Sequence, residues 1–143
     1  MENWEKKVEE NRKRNEKFVN EFDSWLSEKG LAKKTIKKHL NNIDLYINDY
    51  LNYYEITTME KGVTKAYIFL NDWFIRKCCA TKTSISENAE SIKKFYKCMC
   101  ELGHVSKEDY EFLDTSISDN MDEFYASLIE INDYEGEEWE AFF

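Results

Sequence analysis

Residues 30–51 read Gly30-Leu-Ala-Lys-Lys-Thr-Ile-Lys-Lys-His-Leu-Asn-Asn-Ile-Asp-Leu-Tyr-Ile-Asn-Asp-Tyr-Leu51. Wound at about 100° per residue, Ile36, Leu40, Ile43, Ile47, Tyr50 and Leu51 gather on one side, while Lys34, Lys38 and Asn41 point the opposite way. One long helix is expected, with a core face and a basic face. Before it, residues 2–28 form a first helix whose second half places Phe18, Phe22, Trp25 and Leu26 on one side. Gly30 is its left-handed stop. The first half offers only Trp4 and Val8 on that line, separated by Asn11 and Asn15, so residues 1–16 are expected to be a charged extension or a partner-binding arm.

Beyond Leu51, residues 52–62 are a connection too apolar for a free linker. A third helix is expected from about Thr64 to Cys78, with Val63, Tyr67, Leu70, Phe74 and Cys78 inward. Ser84-Ile-Ser-Glu87 reads as a capping box opening a fourth helix, with Ile85, Ala89, Ile92, Tyr96 and Met99 as its core line and Leu102-Gly103 as its end. Ser106-Lys-Glu-Asp109 starts a fifth. Its stripe of Tyr110, Leu113, Ile117, Met121, Phe124, Leu128 and Ile131 predicts one helix from 107 to about 132.

These patterns add up to an all-α domain of about five helices over residues 1–131, followed by an acidic aromatic tail, 132–143. Phe22, Trp25, Ile36, Leu40, Ile43, Ile47, Leu70, Phe74, Ile92, Tyr96, Met99 and Leu113 are its expected core. Proline is absent and glycine occurs only four times, as suits a nearly all-helical chain. At 143 residues, 42% of them hydrophobic and 34% charged, the chain has the size and balance of one globular domain. No apolar run approaches the roughly 20 residues of a membrane span, and the charged first residues lack a signal-peptide core, so a cytoplasmic protein is expected.

A helix ending in Phe22, Trp25 and Leu26, then Lys29-Gly-Leu31, Thr35-Ile36 and a long apolar repeat resembles the N-terminal core-binding (SAM-like) domain of tyrosine recombinases and phage integrases. The run from Phe95 to Val105, with its Leu-Gly before a short turn, resembles the same domain. The likeness spans roughly residues 16–118. Ala32 stands where that family usually has a capping Ser. What the resemblance implies is a DNA-binding module whose second and fourth helices face the duplex, here carrying Lys33, Lys34, Lys37, Lys38 and Lys93, Lys94, Lys97. Such contacts are to backbone phosphate rather than to bases, since neither helix has an Arg. The same lysines would also suit the solvated side of any amphipathic helix.

Charge placement sharpens that reading. Residues 1–100 hold 19 Lys/Arg against 15 Asp/Glu, whereas residues 101–143 hold 1 against 14, so the net −9 resides in the last third. The alternative function is a protein-interaction or regulatory module of a recombinase or mobile element, motivated by Trp139, Phe142 and Phe143 in the acidic tail. Those aromatics are candidate partner-binding residues. The tail would fold back over the basic face, dock on a recombinase or a second copy, or stay solvated.

No enzyme is expected. Recombinase catalysis needs a Tyr nucleophile with Arg, Lys and His around the phosphate, but Arg12, Arg14 and Arg76 form no His-x-x-Arg motif, and the nine tyrosines read as core and rim. His39 and His104 are assigned no catalytic role, and no cofactor is implied. Cys78-Cys79 and Cys98-x-Cys100 lack zinc-knuckle spacing, so reduced thiols are expected. The alternative is a metal site shared by the two pairs with His104.

Overall fold

The computed structural model describes the backbone of residues 2–141 and the side chains of residues 3–133. Among the described residues there is no strand, and no helix is long and apolar enough to cross a membrane. Six helices, counted over those residues, make the bundle. Helix α1 is Glu2–Glu28, and α2 is Lys33–Asp44, continued without a break by a wider π turn, Leu45–Tyr50. A 3-10 turn, Glu60–Thr64, leads into α3, which runs Ala66–Ile68, through a second π segment, Phe69–Trp73, to Phe74–Lys77. Helices α4 (Lys82–Glu101), α5 (Lys107–Ser118) and α6 (Met121–Ala141) complete the chain. Helix α4 is the axis, packed by α1 and α2 on one flank and by α5 and α6 on the other.

Each expected core residue is buried except Trp25 and Leu40, which are partly buried against the core. Three expectations need correction. The first half of α1 is not a free extension from Asn11 onward. Asn11 Nδ2 donates to Asn52 Oδ1 (2.9 Å) and Thr57 O (3.1 Å), and Asn15 Nδ2 donates to Asn48 Oδ1 (2.9 Å) and Ile47 O (3.3 Å). The two asparagines that interrupt the apolar stripe are the buried groups that dock it, one helical turn apart.

Helix α4 starts three residues before the expected box, and Ser84 is the far end of its capping box rather than the near one. Thr81 caps it, with Ser84 N–H donating to Thr81 Oγ1 (3.0 Å) and Thr81 N–H to Ser84 Oγ (2.8 Å). Glu87 instead pairs with Lys38. The expected fifth helix is two. Asn120 folds its amide back onto Ser116 O (2.7 Å) while its own carbonyl receives Phe124 N–H (3.0 Å), closing one helix and opening the next. Leu113, Ile117, Phe124 and Leu128 stay buried across that break, so the stripe survives although the helix does not.

The π turns occur where a helix is contacted on more than one side. Leu51 N–H bonds Tyr46 O five residues back (3.0 Å), and Tyr46, Ile47, Asn48, Tyr50, Leu51 and Asn52 are all buried. Core packing takes the aliphatic and aromatic members, and α1 takes the asparagines.

At the centre, Tyr46 Oη donates to Gly62 O (2.6 Å) and Tyr96 Oη to Met59 O (2.7 Å). A Cβ on Gly62 would overlap Tyr96 Oη and lie 2.8 Å from Leu51 Cδ1. Gly62→Ala is therefore expected to destabilise the fold by about 1–3 kcal/mol, the usual cost of overpacking. Urea unfolding of the variant beside its parent measures it.

Candidate nucleic-acid interface

Helices α2 and α4 run parallel. Lys38 pairs with Glu87, His39 Nδ1 meets Ser91 Oγ at 2.7 Å, Asn42 Nδ2 donates to the same oxygen at 3.0 Å, and further on the Tyr46 and Tyr96 rings meet edge to face. Both N-termini therefore lie at one end of the bundle. Each carries roughly half a positive charge from its free amides. Neither has an acid in its first turn, and the N-cap of α2, Ala32, supplies no side-chain acceptor.

Four lysines crowd that end of α2. Lys33, Lys34 and Lys37 are exposed and form no ion pair among the described residues, while Lys38 is held by Glu87. Lys82, the first residue of α4, lies over the Tyr125 ring at 4.8 Å and adds a cation at the same end. Nothing in the sequence pattern singles out Lys82, because a box read at Ser84 leaves it outside the helix. By contrast, α5 and α6 have Glu108, Asp109, Asp122 and Glu123 in their first turns, as macrodipoles prefer.

The lysines of α4 do not share one face. Lys94 lies toward α2, paired with Glu90 at 3.7 Å. Lys93 donates to Ser118 Oγ of α5 at 3.3 Å, and Lys97, one turn on, is exposed at an angle between the two. Lys38 and Lys94 thus border the α2–α4 seam, Lys33, Lys34 and Lys37 are exposed on the first turns of α2, and Lys93 turns toward α5. Phe142, Phe143 and the side chain of Trp139 lie outside the described residues. The backbone of residues 132–141 continues α6.

Other polar clusters offer less. The His39–Ser91 contact has the atoms of a base and a nucleophile, but Ser91 is fully buried and His39 is 6% exposed, so no substrate reaches the hydroxyl. His104 Nε2 sits 3.1 Å from Glu21 Oε2, with Phe18 edge-on to its ring. A shallow groove of about 640 Å³ beside α1 is lined by both signs of charge, Lys13 and Lys17 with Glu21 and Glu28, around Trp25 and Leu102. Among the described residues no three His, Cys, Asp or Glu side chains are grouped to hold a metal ion. The two cysteine pairs flank opposite ends of α4, about 27 Å of helix apart, so the alternative of a shared metal site does not hold. Burial and then Glu101, Glu21 and Glu28 push the Cys98 thiol up to about 12.

Compared with known proteins, the chain matches no family model, no curated protein and no solved structure.

Burial lowers the His39 pKa from its ordinary value; Lys94 and Lys38 assist, and Glu90 and Glu87 oppose. The unfolded chain takes up this proton at a higher pH than the folded chain. The stabilisation is therefore complete above the unfolded value of about 6.5 and is lost as pH falls below it. The thermal midpoint of the wild type should fall more between about pH 7.5 and about pH 5.5 than that of His39→Gln, as read by circular dichroism melts.

Proposed function

We propose that the protein is a non-catalytic, cytoplasmic module that contacts the phosphate backbone of duplex DNA through the end of the bundle where α2 and α4 begin. The observation that carries this reading is the pair of parallel helix N-termini, free of acids in both first turns and surrounded by Lys33, Lys34, Lys37, Lys38 and Lys82. Lysine beside a positive helix end costs stability, whereas an anion placed there is stabilised by both the amides and the ammonium groups. The resemblance to recombinase core-binding domains points the same way, since there too the second and fourth helices face DNA. Lysines without arginine make charge contacts rather than base contacts, so affinity is expected to vary little with sequence.

A second reading, a protein-interaction or regulatory module of a recombinase or mobile element, is favoured by the exposed apolar side chains of Tyr54, Ile68, Phe112 and Ile129. The two readings separate in one titration. Fluorescence anisotropy with a labelled duplex should show the Lys33→Glu/Lys34→Glu/Lys37→Glu variant binding at least roughly tenfold more weakly, with a log–log salt dependence shallower by about 0.9 for each phosphate no longer neutralised. Lys93→Glu, on the α5 side of α4, should change affinity much less. An α2 variant that binds as tightly as the wild type would leave the interaction reading standing.

A further inference from the structure

At the C-terminus of α3 the chain leaves the helix through Cys78 (φ −119, ψ 14) and Cys79 (φ 49). Among the described residues, Cys79 is the one non-glycine with a positive φ. That position just past a helix end is where glycine normally sits, because a Cβ there is strained. Nothing in the packing compensates: Cys79 is exposed, and neither cysteine is disulfide-bonded. A non-glycine residue where the local rule favours glycine is an outlier from which a hypothesis of function is drawn. Cys78 beside it is half-buried, so two thiols on consecutive residues border solvent.

We propose that Cys78 and Cys79 form a two-sulfur site for a soft, thiophilic ligand of the trivalent arsenic class. Consecutive Cα atoms are about 3.8 Å apart across a trans peptide, shorter than the roughly 4.4–6.8 Å of ordinary disulfides. A direct S–S bond between these neighbours is therefore strained and easily reduced. One large atom inserted between the sulfurs relieves that constraint by enlarging the ring. Hard or four-ligand ions are not served here, because no group of three His, Cys, Asp or Glu is assembled among the described residues, whereas soft ions prefer thiols. Ligation proceeds without redox change: each thiol proton passes to a hydroxyl on arsenic, two As–O bonds break, two As–S bonds form and two waters leave. Burial, with Cys79 and Asp49 nearby, pushes the Cys78 thiol up. The other pair is an internal comparison. Cys98 is fully buried, and positions 98 and 100 diverge by about 200° on a helix.

The test uses the full chain and phenylarsine oxide, read by intact-mass spectrometry after gel filtration in excess glutathione. The wild type and Cys100→Ser should each retain one arsenical, released by a dithiol such as ethanedithiol. Cys78→Ser, Cys79→Ser and Cys79→Gly should retain none. Cys79→Gly should also melt at a higher temperature than the wild type, because glycine accepts the backbone that cysteine strains, so its failure to bind cannot be ascribed to unfolding. Retention by Cys79→Gly, or removal of the arsenical from the wild type by glutathione alone, would overturn the proposal.

Discussion

Two tyrosine hydroxyls set inside the core govern how the rest of the chain can run. Tyr46 and Tyr96 are fully buried, and burial raises both phenol pKa values well above the ordinary value, so each remains a neutral donor that must find an acceptor. A buried hydroxyl left unpaired costs about 1–3 kcal/mol, a large share of a small domain's net stability. Both find carbonyls in the same connection, at Gly62 and Met59. The link between α2 and α3 is therefore anchored in the interior at Thr57, Met59, Gly62 and Val63, which explains the apolar side chains at 59 and 63, while Tyr53 and Tyr54 stay exposed at its start. It also explains why residue 62 has no side chain.

Fixing that link lets α2 and α4 lie side by side in the same direction, with the connection and α3 making the return. A parallel pair does what an antiparallel pair cannot: it adds its two macrodipoles at one end. The chain then places lysines there, against the local preference, and keeps acids out of both first turns. Acids are concentrated across the α4 axis on α5 and α6, whose own first turns follow the preference. Charge is thus sorted by layer. A net charge of −9 describes neither side of the molecule.

Much of the fold was legible because burial in helices leaves a period. Ile36, Ile43 and Ile47 on α2, and Ile85, Ala89, Ile92, Tyr96 and Met99 on α4, are all buried where periodicity puts them. Ser106 caps α5 as its sequence implies, with Asp109 N–H 3.1 Å from Ser106 Oγ, and Gly30 has the left-handed φ of 78° expected of a helix stop. The misreading of α1 has a physical cause. A reading that counts apolar residues as inside treats Asn11, Asn15, His39, Asn48 and Asn52 as surface, yet each is buried with another polar group as a hydrogen-bond partner, even though Asn15 Oδ1 itself has none. The groups that receive the Asn11 and Asn15 amides lie 32 to 46 positions away and leave no local signal. The lysines of the candidate interface were legible as a class. The turning of Lys93 toward α5 was not, since it depends on where α5 packs.

The buried asparagines have a consequence at the far end of α1. Replacing such contacts by apolar groups of similar shape is often neutral or stabilising in other proteins, so stability alone gives little reason for them. Register does. An apolar stripe tolerates sliding by a turn, because one branched side chain substitutes for another, whereas the amide of Asn15 pairs with Asn48 and that of Asn11 with Asn52 in one alignment only. Arg12 on Asp49 at 3.0 Å and Arg14 on Glu60 at 2.8 Å repeat the same alignment at the surface. Since α1 and α2 are joined by a tight turn at Gly30, the register of the first fixes where the second begins. The amides near residues 11 and 15 thereby position the lysines of 33–38, about 25 Å away along the helix, beside the start of α4.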